Sequence, residues 1–178
     1  MASIHTFVVQ PGAPEIGVCA KWRIEAFGDV LGSSLQDEIK RLEAFTADQA
    51  RQVALMARCD GAPAGTCLLA QKELEPCHPV SPWLAGLYVT PEYRRRGVGG
   101  MLVRAIEDQA RQRGNTQLYL YTDDAIAYYE NLEWRVLEQT HGRIIPWPLW
   151  RATFRPEFSD SPFANSSAGM LASRHVFA

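Results

Sequence analysis

Apolar and polar residues follow two different periods along the first part of the chain. Apolar residues recur at helical spacing after Pro14 and again after Ser34. The segment Ser34-Leu35-Gln36-Asp37 is typical of a helix start with a capping box. Runs typical of β-strands lie outside these two helices, and Asp60-Gly61 between two of them favours a tight turn, since both residues tolerate positive φ. The pattern predicts a strand, two helices and a β-hairpin, with strands at residues 5–9, 53–58 and 65–70.

The remaining pattern predicts strands and helices in alternation. Residues 83–89 form a strand, and helical spacing returns near Met101 and ends at Gly114, where a C-terminal cap belongs. Pro146 and Pro148 interrupt the last segment, which is therefore expected to be an edge or distorted strand. The further elements are a strand at 117–122, a helix at 125–132 and strands at about 134–140 and 143–150. The order βααβββαβαββ predicts a mixed α/β (α+β) fold.

The length of 178 residues favours one main hydrophobic core, which we place in a domain spanning residues 1–154. Residues 155–178 form an extension rich in Ser and Pro, which either docks on that domain or is flexible. The net charge of -2 provides no global field for nucleic acid or membrane, so neither is expected as a partner. No membrane segment or signal peptide is recognisable, and a cytoplasmic location is expected.

The four cysteines lack the spacing of metal or redox sites. They stand far apart in the sequence without a Cys-x-x-Cys pair, at Cys19, Cys59, Cys67 and Cys77. We therefore expect buried free thiols and no metal.

Arginines and glycines lie between the strand at 83–89 and the helix that follows, in the run Arg94-Arg95-Arg96-Gly97-Val98-Gly99-Gly100. A helix start carries unpaired N–H groups and the positive end of the helix dipole, and glycines let an anion approach the backbone. The arginines suit a ligand with more than one phosphate. A P-loop is excluded because no Lys follows the glycines, and a dinucleotide fingerprint because Leu102 replaces its last glycine.

The same run matches the Arg/Gln-x-x-Gly-x-Gly/Ala signature of GNAT acetyltransferases, with Arg94, Gly97 and Gly99 at the signature positions. Residues 83–93 resemble the fourth strand and exit turn of that family. Residues 125–132 resemble its later helix with an aromatic-tyrosine pair, here Tyr128-Tyr129. The element order over about residues 4–150 is also similar. The chain departs from the family at Glu133-Trp134, where Gly-Phe is usual.

The resemblance implies an N-acetyltransferase that uses acetyl-coenzyme A in a direct attack by a primary amine. It also implies a mostly antiparallel sheet whose central parallel strands splay apart, with helices on both faces. By match to the family, Tyr129 is the acid for the leaving thiolate and Tyr128 is the packed member of the pair. A small-molecule amine is expected as the partner, and a homodimer is compatible with the sequence. The coenzyme-binding residues implied are Leu87, Tyr88, Val89, Arg94, Arg95, Arg96, Gly97, Val98, Gly99 and Gly100.

The group that takes the proton of the amine is left open by the sequence. Many relatives carry a glutamate on the fourth strand, but residues 83–89 contain no carboxylate. The alternatives are water or one of four carboxylates: Glu73, Glu75, Asp123 and Asp124. The acceptor is also open, because a peptide N-terminus or lysine, or a noncatalytic acyl-coenzyme A sensor, fits the same motif. Aromatic residues at strand and helix spacing either line an acceptor pocket or pack in the core: Trp22, Phe27, Trp83, Tyr119 and Tyr121.

Overall fold

A computed structural model describes residues 2–73, 79–122, 125–138 and 149–154, without the side chains of residues 29–31 and 138. The elements follow the predicted order βααβββαβαββ. The strands are β1 (Ile4–Val8), β2 (Val53–Cys59), β3 (Ala62–Ala70), β4 (Trp83–Val89), β5 (Gln117–Tyr121), β6 (Arg135–Glu138) and β7 (Leu149–Thr153). The helices are α1 (Glu15–Leu31), α2 (Leu35–Ala47), α3 (Val98–Gln112) and α4 (Ile126–Glu130).

The strands form a seven-stranded sheet in the order β1-β2-β3-β4-β5-β7-β6. Neighbouring strands are antiparallel, apart from the parallel pair β4 and β5 at the centre. Within the described residues, β4 and β5 share the single registered pair Trp83 and Tyr119, so the two strands separate beyond it. The mixed fold with splayed central strands is confirmed.

A β-bulge in β4 lies where the strands separate. Opposite β3, Ala85 pairs with Leu68 and Tyr88 pairs with Thr66, so β4 advances three residues while β3 advances two. Gly86 allows this through its left-handed conformation, with φ at 55°. The bulge therefore changes which residues of β4 point to each face of the sheet.

Two hydrophobic clusters cover the two faces of the sheet. One joins α3 and α4 to the sheet and includes Leu102, Ile106 and Tyr129. The other lies under α1 and α2 and includes Trp83, Ala85 and Tyr88. Leu87 and Val89 pack against the α3 face. Both before and after the bulge, β4 therefore contributes residues to each face of the sheet.

Several local expectations are confirmed by the contacts. Ser34 Oγ accepts a hydrogen bond from the Asp37 amide at 3.2 Å, and the Asp37 carboxylate accepts one from the Ser34 amide at 3.3 Å. Asp60 and Gly61 both have positive φ, at 51° and 85°. The predicted end of the last strand at residue 150 is wrong: β7 continues to Thr153 because buried Trp150 and Ala152 alternate with less buried polar residues. The part of that prediction at residues 143–148, with both prolines, lies outside the described residues.

The three described cysteines are free and buried, as expected: Cys19, Cys59 and Cys67. Burial raises the pKa of Cys19 to about 11 and raises the pKa of Cys67 further, which keeps both as unreactive thiols. Cys77 lies outside the described residues. In the described ranges, no cluster of three or more His, Cys, Asp or Glu side chains is arranged to hold a metal ion. The described helices include none with the length and apolar character that crossing a membrane requires.

Candidate active site

The turn between β4 and α3 contains a row of main-chain amides without a partner in the described ranges. Arg95 and Gly97 both adopt the left-handed conformation, with φ at 59° and 89°. The amides of residues 95–100 make no hydrogen bond to another residue in the described ranges. Successive amides in such a turn form a concave site for an anion, and the dipole of α3 adds positive potential there. This backbone geometry is compatible with an anion site, which stays a prediction.

The three arginines at this turn make different contacts. Arg94 Nε donates to the carbonyl oxygen of Val89 at 3.0 Å, and its guanidinium lies 6.0 Å from the ring centre of Tyr88. Arg96 lies over the ring of Tyr93 at 5.5 Å, while the side chain of Arg95 is exposed. Arg94 therefore ties the turn to the end of β4, and the other two leave positive charge facing solvent.

Gly99 lies where α3 and α4 approach each other closely. A Cβ atom there would stand 2.7 Å from the hydroxyl oxygen of Tyr128 and 3.6 Å from Cγ2 of Val89. A Cβ atom at Gly100 would meet nothing within 4 Å. Sequence reasoning assigned Gly99 to the approach of a phosphate, whereas its side-chain space in this structure is taken by Tyr128.

The two tyrosines of α4 have different surroundings. Tyr129 is 6% exposed and packs in the α3-face core, with its ring centre 5.8 Å from that of Trp134. Tyr128 is 38% exposed, and burial of its ring raises the pKa of its hydroxyl, with a smaller contribution from Cys67. The expectation that Tyr128 is the packed member is wrong, because α4 turns Tyr129 inward. The acid role of Tyr129 stays a prediction.

Glu133-Trp134 keeps the turn that the usual Gly-Phe would form. Glu133 takes a left-handed conformation with φ at 67°, which glycine adopts more readily. The Trp134 amide donates to the carbonyl oxygen of Tyr129 at 3.0 Å, and its buried indole donates to Glu107 Oε1 at 2.9 Å. The departure in sequence therefore does not disturb the position of α4.

A buried ion cluster lies on the opposite face, against the bulge of β4. Arg23 Nε donates to Glu38 Oε1 at 2.5 Å, and Arg41 Nη1 donates to Glu38 Oε2 at 3.0 Å. Glu38 is fully buried. A side chain at Gly86 would collide with Nη1 of Arg23 and touch the ring of Phe27. The guanidinium of α1 thus lies directly on the bulge.

Glu73, three residues after the end of β3, hydrogen-bonds the hydroxyl of Tyr121 at the end of β5. Burial raises the pKa of Glu73 to about 7, although Arg23 and the Tyr121 hydrogen bond lower it. Burial also raises the pKa of Tyr121 to about 12, with the negative charge of Glu73 adding to this effect. Of the four carboxylates named above, only Glu73 falls in the described residues, and Glu75, Asp123 and Asp124 lie outside them.

The aromatic residues mainly pack in the core. Trp22, Trp83 and Tyr119 belong to the cluster under α1 and α2, and the rings of Trp22 and Tyr88 are 6.0 Å apart. Tyr121 is less buried and packs against the same cluster. The Tyr88 hydroxyl donates to Glu25 at 3.1 Å. Of the five aromatic residues considered, Phe27 lies with Arg23 over Gly86, and Tyr121 hydrogen-bonds Glu73.

Arg23 and Glu38 were missed by sequence reasoning. Arg23 continues the apolar stripe of α1, at helical spacing between Ala20 and Phe27. Glu38 interrupts the apolar face between Leu35 and Leu42 in the same way. Opposite charges on the apolar faces of consecutive helices are the signal that predicts a buried pair.

A profile described as the acetyltransferase (GNAT) family matches residues 18–134, which contain the turn, the bulge and both tyrosines. The chain belongs to the GNAT acetyltransferase family. The resemblance inferred from the signature is therefore confirmed. No curated protein sequence gives a significant match.

Solved structures of GNAT proteins share this fold. The PaiA N-acetyltransferase from Thermoplasma acidophilum, in complex with coenzyme A, is 17% identical, with 85% of this chain and 99% of that chain covered and a TM-score of 0.61. An aminoglycoside 6'-acetyltransferase of type Ii is 18% identical over 85% and 98% of the two chains, with a TM-score of 0.66. A GNAT acetyltransferase from Brucella melitensis, in complex with acetyl-CoA, is 20% identical over 86% and 90%, with a TM-score of 0.59. At these identities the likeness establishes the fold.

Proposed function

We propose that this GNAT protein transfers the acetyl group of acetyl-coenzyme A to a primary amine of a small molecule. The observation that carries the proposal is the turn at residues 95–100, whose amides have no acceptor among the described residues, beside the gap between β4 and β5. Such a turn suits a pyrophosphate. Two of the similar structures contain coenzyme A or acetyl-CoA, which supports the same ligand here.

The coenzyme would bind along the α3 face of the gap. Its pyrophosphate would accept hydrogen bonds from the amides of residues 95–100, with Arg94, Arg95 and Arg96 neutralising charge. Its extended arm would pair with the main chain of Leu87, Tyr88 and Val89, as an added strand pairs with a free edge. Because β5 has already separated from these residues, the gap leaves room for that arm. No metal is needed for this arrangement.

Acetyl transfer proceeds in this proposal by direct attack of the amine nitrogen on the thioester carbon. Holding the two reactants together supplies a large part of the rate. A main-chain N–H of β4 polarises the carbonyl oxygen as charge develops on it. Tyr129 donates a proton to the departing thiolate.

Glu73 is the base that we propose for the amine. Its carboxylate lies near Tyr121, at the end of β5, and its pKa of about 7 matches the task of taking a proton at neutral pH. Arg23 and Tyr121 are the charged and titratable groups that act on it within the described residues. Tyr129 packs on the α3 face, and Tyr121, the partner of Glu73, packs on the α1/α2 face, so the proposed acid and base would act from opposite sides of the gap.

A small-molecule acceptor is favoured by what covers the α1/α2 face of the gap. Arg23 and Phe27 of α1 lie over Gly86, so side chains of α1 cover this part of the gap. One of the similar proteins is an aminoglycoside 6'-acetyltransferase, whose name specifies a small-molecule acceptor.

The test is release of free coenzyme A thiol from acetyl-CoA with a panel of small amines and short peptides. The proposal expects amine-dependent release well above the rate without amine, with small molecules preferred to peptides. Preference for peptides would support the alternative of peptide or lysine acetylation. Tight acetyl-CoA binding without release for any amine would support a noncatalytic sensor and contradict the proposed enzyme.

A further inference from the structure

Arg23 is a buried cation that its ion pair occupies only in part. Its side chain is 13% exposed, and Nε donates to Glu38. Its terminal Nη1 and Nη2 groups hydrogen-bond no residue in the described ranges. A guanidinium has five N–H donors, and leaving several of them without an acceptor in a partly buried position is costly. These donors are therefore placed for something other than holding α1 to α2.

The charge of this cluster favours an anion. Arg23 and Arg41 both bind Glu38, so two positive charges stand against one negative charge. Arg41 is more exposed, with its side chain at 54%, and is screened by solvent. Glu38 is fully buried and fixes the direction of the Arg23 guanidinium. The positive charge that Glu38 does not balance thus lies on Arg23, where it also acts on Glu73.

The terminal groups of Arg23 lie where the acceptor would approach. Nη1 occupies the space that a side chain at Gly86 would take, on the bulge where β4 leaves β5. The positive charge of Arg23 also reaches Glu73 and Tyr121. A cation and the proposed base therefore lie close together, next to the bulge of β4. This pair complements a molecule that carries a negative group close to an amine.

We infer that the acceptor is a small amino acid, whose carboxylate binds the terminal N–H groups of Arg23 while its amine faces Glu73 and the thioester. This inference rests on the proposed function. A carboxylate matches the fork of one guanidinium, whereas a phosphate is better held by several cations. The ring of Phe27 would contact the apolar part of the acceptor.

The transfer step balances without a further reactant. The amine nitrogen forms a bond to the acetyl carbon, and the bond between that carbon and sulfur breaks. Of the two protons that the ammonium nitrogen loses, one passes through Glu73 to solvent. The second proton balances the one that Tyr129 donates to the thiolate, because Tyr129 takes up a proton again afterwards. The carboxylate bound to Arg23 takes no part in bond formation, so Arg23 determines specificity.

The test compares acceptors in pairs of which one member carries a negative group and the other does not. Free amino acids are measured against their amides, and O-phosphoethanolamine against ethanolamine, with acetyl-CoA and the wild-type protein. We expect kcat/KM for the best amino acid to exceed that of its amide by about tenfold or more, the range of charge-assisted hydrogen bonds. Equal rates for acid and amide, or a preference for the phosphate, would overturn the inference while leaving an active acetyltransferase. Absence of turnover with every amine would instead contradict the proposed function.

Two matched variants separate recognition from packing. Arg23→Lys keeps the positive charge near Glu38 but loses the forked donors, so it should reduce the preference for acid over amide about tenfold. Arg41→Lys changes the other partner of Glu38 on the exposed side and should leave that preference unchanged. An acetyl-CoA titration checks that each variant is folded. If Arg23→Lys binds acetyl-CoA and keeps the wild-type preference, Arg23 only joins α1 to α2 and the inference is wrong.

Discussion

Tyr128 and Tyr129 are neighbours in sequence with different environments. Tyr129 is buried beside Trp134, and the hydroxyl of Tyr128 reaches the start of α3 next to Gly99. The match to the family assigns the proton donor to Tyr129. Because both are tyrosines on one short helix, replacing each by Phe tests the assignment with little change in packing.

Tyr129→Phe should lower kcat by about 100-fold or more, the range for a lost general acid, with little change in acetyl-CoA affinity. Tyr128→Phe, the matched control, should change kcat much less. Turnover of both variants is measured under conditions in which chemistry is rate-limiting. A large loss in Tyr128→Phe with normal turnover in Tyr129→Phe would transfer the acid role to Tyr128.

Glu73 makes activity dependent on pH. Since its pKa is raised to about 7 by burial, the carboxylate is protonated below that pH and accepts a proton only above it. Therefore kcat/KM should rise through about pH 7, and Glu73→Gln should lower the rate and remove this limb. Glu25→Gln, which changes an exposed carboxylate beside Tyr88, should retain it. A limb that persists in Glu73→Gln would assign the base to another group.

Residue roles could be predicted only where a local motif specifies them. Gly99 and the tyrosine pair follow from spacing in the sequence. The contact between Arg23 and the Gly86 bulge could not, because it joins residues far apart in the chain. Which of Tyr128 and Tyr129 is buried also depends on how α4 is oriented against the sheet. The sequence of a single helical turn does not show this orientation.

At the scale of elements, the first turn of α3 combines two requirements. Its amides must stay open to an anion, and α4 must approach it closely at Gly99. The spacing of apolar residues predicted the order of strands and helices, because each strand or helix is long enough to show its period. It could not predict the bulge in β4 or the full length of β7, since register and edge position depend on neighbouring strands.

Gly99→Ala should weaken acetyl-CoA binding about tenfold or more, because the new Cβ atom pushes Tyr128 into the space beside β4, and overpacking of this kind costs about 1–3 kcal/mol. Gly100→Ala, one residue along the same turn, adds a Cβ atom that meets no other group and should bind nearly as the wild type. Affinity is measured by titration calorimetry on folded protein.

Arg95→Ala tests how much arginine charge contributes to acetyl-CoA binding. Its side chain is exposed and its charge is screened, so its loss should weaken binding by only about fivefold or less. A loss of affinity well beyond fivefold in Arg95→Ala would show that arginine charge, and not mainly the backbone amides, holds the anion.

In the protein as a whole, groups from both faces of the sheet lie at the gap between β4 and β5. α3 and α4 cover one face, with the turn and the tyrosines, and α1 and α2 cover the other, with Arg23 and Glu38. Burying ionisable groups at this gap has a cost for stability. The raised pKa of Glu73 means that the folded state holds its proton more tightly than the unfolded state does.

Stability should therefore depend on pH through Glu73. Its contribution is fully present below the ordinary pKa of 4.5 and is lost as the pH rises through about 7, after which it stays constant. The melting temperature of Glu73→Gln minus that of the wild type should increase between these pH values and then level off. A difference that is independent of pH would show that Glu73 titrates normally in the folded protein.

The central claim is that the turn at the start of α3 and the adjoining gap hold acetyl-coenzyme A. Titration calorimetry of the wild-type protein with acetyl-CoA tests it most directly. We expect saturable binding of one acetyl-CoA per chain. The melting temperature should also rise, because a ligand that binds only the folded state stabilises it. Absence of both binding heat and thermal shift at millimolar acetyl-CoA would contradict it.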